Sequence, residues 1–251
     1  FLGVTSQWVA HSHYPPFIQD NGVKIPLDNG PDGVPGHGVF PADADPQDPK
    51  AYAPFIGKDF LSERTIKGAE AFIAAHKDKP FFLYYASPLP HVALQVPAEE
   101  LKQYEGVIKE AAPYAPQKGG YSPNRTPRTT YAAMISRLDK EVGRILAALE
   151  QAGVADNTII VFTGDNGATH DAGGADPRHR RKVVPGARDV DEVLRRRDVG
   201  RATEADERLG LQHVDLRLRH LGERTSDTRV REGRGVAAMV VHRLAVTRDE
   251  D

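Results

Sequence analysis

Two short runs of consecutive apolar residues, Phe81-Phe82-Leu83-Tyr84-Tyr85-Ala86 and Thr158-Ile159-Ile160-Val161-Phe162-Thr163, each follow a segment whose apolar positions recur every three or four residues. The first such segment carries Ile66, Ala69, Phe72 and Ile73, with Ser62 as a candidate cap and Lys77-Asp78-Lys79-Pro80 as its end. The second, from about Thr130 to Gln151, sets Tyr131, Met134, Ile135, Leu138, Val142, Ile145, Leu146 and Leu149 on one stripe. Gly153 stands where a left-handed cap is wanted. Amphipathic helix, apolar strand, helix, strand is the alternation of an α/β protein, and strands that apolar read as buried on both faces of a mostly parallel sheet. In such sheets ligands gather beyond the carboxyl ends of the strands. His91 follows the first strand and Gly164-Asp165-Asn166-Gly167 the second. Residues 1–58 are broken by Pro15-Pro16, Asp28-Asn29-Gly30-Pro31-Asp32-Gly33 and Pro35-Gly36, and are expected to be loop. Gly33, Gly36 and Gly38 follow no strand, so they read as turn glycines rather than a phosphate-cradling loop.

Composition divides the chain. All 18 aromatic residues lie before Pro177; the 75 residues from there on hold 17 Arg and a single Lys, Lys182, with no Ile. Three readings of 177–251 stay open: a solvated helical extension, an Arg-rich nucleic-acid arm, or out-of-frame translation of a GC-rich gene. The third fits best, because high-GC codons read off-frame yield Arg, Ala, Gly, Val and Asp. The nucleic-acid arm is weakened by interspersed carboxylates and the lack of stacking rings. The division expected is therefore 1–176 as the functional domain and 177–251 as an out-of-frame or disordered tail that does not pack on it. The net charge of −2 carries no nucleic-acid footprint. No apolar run reaches the roughly 20 residues of a membrane helix. The absence of Cys excludes disulfides, thiolate metal sites and an unmodified cysteine nucleophile.

Asp165 and Asn166 offer adjacent hard oxygens in a Gly-flanked turn, a donor set for Ca²⁺ or Mg²⁺ rather than zinc; a plain Asx turn is the alternative. His91 could donate to an anion or protonate a leaving group, or be a partly buried loop histidine. His11-Ser12-His13 can place two imidazoles on one strand face but has no third ligand nearby, so a supporting role is expected. His170 and Asp171 could line the same mouth.

Several blocks carry a family resemblance. Lys79–Ala86 with Pro90-His91 resembles the strand and histidine loop of the sulfatases. Tyr131-Ala132-Ala133-Met134-Ile135, Leu138-Asp139, Val142-Gly143, Asp156-Asn157-Thr158 and Phe162–Gly167 are similar to the family's next block. Phe1-Leu2-Gly3, Gln7, Ala10-His11 and Tyr14-Pro15 resemble an earlier one, seen in bacterial arylsulfatase-like members. The resemblance implies an alkaline-phosphatase-like α/β fold, here a fragment, with a mixed or mostly parallel sheet flanked by helices. It implies a sulfuric ester hydrolase acting on aryl or carbohydrate sulfates, Ca²⁺ held by Asp165 and Asn166, and His91 as the catalytic residue contacting sulfate. It also implies a formylglycine nucleophile made from the Cys of a Cys-x-Pro-x-Arg motif, which this chain lacks. The upstream acidic metal ligands and the Lys-Gly segment beyond the Asp-Asn-Gly turn are missing too, and Lys182 does not match the latter. The expectation is an internal fragment, inactive alone, whose family members are often periplasmic or extracellular. Its partner is a sulfated small molecule or saccharide, with no nucleic acid and no membrane span. A non-catalytic sulfated-ligand binder, or a related phospho- or phosphonate-ester hydrolase needing further His and Asp ligands, are the alternatives.

Overall fold

The computed structural model describes residues 1–110 and 112–164 with their side chains, and 237–243 as a backbone strand. A three-stranded antiparallel sheet opens the chain: β1 (Leu2–Gly3), β2 (Phe17–Asp20) and β3 (Val23–Pro26), with the short helix α1 (Gln7–Ala10) between the first two. Here the structure departs from the loop expected over 1–58. Asn21, at φ 48°, and Gly22, at φ 89°, turn β2 into β3. Asn-Gly is the pair that a tight hairpin demands, because both central residues must take positive φ.

The two long helices sit close to their expected places. α2 runs Leu61–His76 and buries Ile66, Ala69 and Ile73. Its cap is Phe60 rather than Ser62, which lies buried inside the first turn. The Leu61 N–H donates to the His13 carbonyl at 2.9 Å, which ties the start of α2 to the His11–His13 segment. α3 (Ala98–Leu101) is a single turn. α4 runs Pro127–Gln151 and buries Met134, Leu138, Ile145 and Leu149, and Gly153 follows at φ +68°. Proline at its first position leaves no orphan donor there, and the Glu110 carboxylate accepts from the Arg128 and Thr129 N–H groups.

β4 (Phe82–Ser87) and β5 (Thr158–Gly164) run in the same direction but do not pair with each other. β6 (Ala237–Arg243) lies between them, antiparallel to both, in the order β4-β6-β5. The mostly parallel sheet expected from the sequence is corrected on this point: both described sheets are antiparallel. The physical reason is a seven-residue stretch, Ala237-Ala238-Met239-Val240-Val241-His242-Arg243, whose local apolar content is masked by the Arg-rich average around it. The expectation of a tail that nowhere packs on the front fails at this strand. Burial on both faces fails as well. Along β4, Tyr85 and Ser87 are buried while Phe82 and Tyr84 are more than half exposed, the alternation of a sheet covered on one side only.

Two core clusters organise the rest. One joins α2, α4 and the inner face of β4 through Ile66, Ile73, Tyr85, Ile145 and Leu149. The other gathers Tyr14, Phe60, Leu89, Val92, Leu94, Tyr121 and Met134 around the segment after β4. That segment, which its prolines mark as a loop, is core: Leu89, Val92 and Ala93 are fully buried.

A buried ionic network links these layers. Glu141 of α4, fully buried, accepts from the Tyr85 hydroxyl at 2.8 Å and the Ser87 hydroxyl at 3.2 Å, both on β4. Arg137 donates to Glu141 at 3.2 Å and also reaches Glu63 on α2 and Glu100 on α3. Arg144 grips Glu70 with two bonds of 2.7 Å. Burial pushes the Glu141 carboxyl above its ordinary range, opposed by Tyr85 and Arg137. Replacing one member of a buried pair strands the other's charge, at a cost of about 3–5 kcal/mol. Glu141→Gln is therefore expected to destabilise the fold by about 3 kcal/mol in urea unfolding, whereas Lys67→Ala, which removes the exposed end of an ion pair to Glu63, moves it by less than about 1 kcal/mol.

Candidate functional site

His91 lies four residues beyond the end of β4. Its backbone N–H donates to the Pro88 carbonyl at 2.8 Å, so the chain turns sharply there. Ser87 links that turn to the core, because its hydroxyl accepts from the Leu89 N–H at 3.3 Å while donating to Glu141. The His91 ring is buried, and its Nδ1–H donates to the Val92 carbonyl. A second proton taken up by His91 therefore goes onto Nε2.

Four more rings form a cluster with it. His11 stacks on His91 with centroids 5.0 Å apart and planes 9° from parallel. His11 and His37 share a hydrogen bond, Nδ1 to Nε2 at 2.7 Å. The tautomers follow from the chemistry of the partners. His37 Nδ1 is 3.1 Å from the Gly120 carbonyl, which can only accept, so His37 Nε2 is the acceptor and His11 Nδ1–H the donor. His37 stacks on Tyr121 at 4.7 Å and on Trp8 at 4.5 Å. Gly36 makes this approach possible, since a Cβ there would stand 2.5 Å from the His11 carbonyl.

His13 stands behind. Fully buried, it donates from Nε2 to the His91 carbonyl at 2.9 Å, and its backbone N–H donates to Gln95 Oε1 at 3.0 Å. Among the described residues its Nδ1 has no hydrogen-bond partner. Burial first, and the neighbouring His91 charge next, lower its pKa from 6.5 to about 4, against the opposing backbone hydrogen bond.

The sequence spacing brings His11 and His13 to the His91 loop, but not as two imidazoles on one strand face. His11 caps the short helix α1 and His13 lies in irregular chain; His11 meets the His91 ring, whereas His13 meets the His91 carbonyl. Trp8, His37, Gln95 and Tyr121 were not singled out by sequence reasoning. Each sits in Gly- or Pro-punctuated chain without periodicity, and only the lone Trp, three residues before His11, offered a signal. The carboxyl ends of β4 and β5 fall on one edge of the sheet, since Ser87 and Gly164 both register with Ala237. Asp165, Asn166, His170, Asp171 and Lys182 lie outside the described residues. Among the described residues no group of three or more His, Asp or Glu side chains could hold a metal ion.

The sulfatase family model matches residues 10–208, which takes in His11, His37, His91 and Tyr121 of the ring cluster, the Asp165-Asn166 pair and the first part of the Arg-rich segment, while Trp8 lies just before it. The chain belongs to the sulfatase family. It is 32% identical to mouse arylsulfatase J over 107 residues, covering 42% of this chain and 15% of that protein. It is 33% identical to an N-acetylgalactosamine-6-O-sulfatase of Bacteroides thetaiotaomicron over 113 residues, 45% of this chain and 18% of the relative. Human iduronate 2-sulfatase is 40% identical over 81 residues, 32% of this chain and 14% of the relative. This sulfatase-family chain thus spans less than a fifth of each of these three proteins. Family membership carries the alkaline-phosphatase-like α/β class.

The buried His13 gives this sulfatase-family site a measurable pH signature. A histidine whose folded pKa lies below its unfolded value takes up protons more readily when unfolded, so stability is lost as pH falls from about 6.5 toward about 4. The difference in unfolding free energy between the wild-type chain and His13→Gln should change by on the order of 3 kcal/mol across that window, and stay flat above pH 7. A difference independent of pH would show that His13 is not held neutral.

Proposed function

We propose that this chain is an internal part of the catalytic domain of a formylglycine- and calcium-dependent sulfatase that hydrolyses aryl or carbohydrate sulfate esters. The observation that carries the reading is the family match across His91, a histidine fixed at the carboxyl edge of a sheet whose second strand ends one residue before Asp165 in the sequence.

In this reading His91 is the residue that touches sulfate. With Nδ1–H committed to the Val92 carbonyl, the imidazolium presents Nε2–H, which donates to a non-bridging sulfate oxygen and then to the departing alcohol's oxygen. His11 holds the plane of that ring by stacking, and His13 holds the His91 backbone through its carbonyl. Both are positioning residues. A neutral His13 also spares the site a second positive charge behind the first, so the His91 cation is not opposed from below.

Asp165 and Asn166 supply one anionic and one neutral oxygen, donor types that suit a hard cation. Calcium, when bound, would hold the sulfate oxygens and offset their charge. Two ligands provide only part of the roughly six to eight oxygens calcium takes, so binding to this chain is expected in the ~millimolar range. The chain carries no Cys, hence no residue that the family's formylglycine chemistry could modify.

The purified 251-residue chain is expected to show no turnover of 4-nitrophenyl sulfate above buffer, while binding the ester in a calcium-dependent manner by calorimetry. Asp165→Ala should remove the calcium dependence. His91→Ala should weaken ester binding and leave calcium binding intact. Turnover that disappears on His91→Ala, or calcium binding that survives Asp165→Ala, would overturn the assignment.

A further inference from the structure

Trp8 is 68% exposed, yet its indole is not loose. One face lies flat on His37, with planes 2° apart and centroids 4.5 Å apart. His37 is itself fixed by the Gly120 carbonyl, by the His11 hydrogen bond and by stacking on Tyr121. The indole is therefore oriented before anything binds, and its exposure is that of an open surface on a rigid support. Large aromatic area presented to water at a fixed angle suits binding, because little freedom remains to be lost.

The same rings lead to His91. His11 touches Trp8 on one side, at 6.1 Å between centroids, and stacks on His91 on the other, at 5.0 Å. Trp8 and His91 thus flank a single imidazole. Because both rings contact His11, a molecule whose anionic group lies at His91 can reach the indole with the ring that carries that group. The C–H face of a sugar, or an aryl ring stacked with an offset or set edge-on, is what the negative face of an indole accepts.

We infer that Trp8, backed by His37 and Tyr121, is the ring subsite of this site and takes the sugar or aryl ring to which the sulfate ester is attached. The inference rests on His91 being the sulfate contact, so the test separates the two. Trp8 is the only tryptophan in the chain, which makes its emission a reporter without background. The full chain, with calcium present, is titrated with inorganic sulfate, methyl sulfate, phenyl sulfate and N-acetylgalactosamine 6-sulfate, following Trp8 emission and binding heat. At least one ring-bearing ester should shift the emission and bind about tenfold tighter than methyl sulfate. That advantage should vanish in Trp8→Ala and largely survive in Trp8→Phe, with methyl sulfate binding unaltered in both. An advantage confined to phenyl sulfate, or to the sugar, supports the subsite and names its ring. Ring-ester affinity unchanged in Trp8→Ala, with methyl sulfate still bound through His91, overturns the subsite alone. If no sulfated probe binds, the sulfate reading of His91 falls and the subsite with it.

Discussion

The Glu141 carboxylate is the constraint on which the arrangement of layers depends. A carboxylate out of contact with water loses several kcal/mol of hydration, and its partners must replace that solvent bond by bond. Here the replacements come from different elements: Tyr85 and Ser87 from β4, and Arg137 from its own helix. Arg137 then spends its remaining donors on Glu63 and Glu100, so α2 and α3 are drawn into the same set of bonds. Apolar packing between α2, α4 and β4 would tolerate a range of helix slides. A fan of directional bonds from one buried atom pair tolerates almost none. Because Ser87 also accepts from the Leu89 N–H, that precision is passed to the turn that carries His91.

A second regularity concerns how the site histidines keep their protonation. His13, His37 and His91 each give an N–H to a backbone carbonyl: that of His91, Gly120 and Val92 respectively. A carbonyl cannot change roles, as a hydroxyl or a second imidazole can, so the fold rather than the solvent sets each tautomer. His11 is the exception. It is fixed through His37, at the end of a chain of assignments that begins at Gly120. The reactive edge of the cluster is thereby decided by main-chain geometry in three separate segments.

What could be read from the sequence follows from how local each signal was. Helix α4 was legible because eight apolar residues, Tyr131 to Leu149, repeat over about five turns, and β4 and β5 because each is a dense apolar run between breakers. His91 and the Asp165-Asn166 pair could be picked out because they fall next to those strands. The hairpin at Asn21-Gly22 was equally local but lay among prolines, where turns dominate the pattern. β6 was hidden by averaging, since 75 residues of Arg-rich composition concealed a run of five apolar ones, Ala237 to Val241. The ring cluster could not be read at all. Trp8, His37, His91 and Tyr121 are brought together from across the chain by contacts such as the His37–Tyr121 bridge and the Gly36 approach to His11. No periodicity encodes meetings of that kind.

The sheet has one further consequence. Phe82, Tyr84 and Val161 point to the same side of β4 and β5, since Tyr84 and Val161 register with one residue of β6. They are 58%, 59% and 47% exposed. Three neighbouring apolar side chains on a flat surface attract a second such surface, and the attraction rises with the number of molecules per volume. It also fades in the cold, as the water-driven part of apolar contact weakens. Colloidal behaviour is thus set by a different face from the chemistry: the ring cluster governs what the molecule meets as an individual, and the outer side of the sheet governs how it behaves in a crowd.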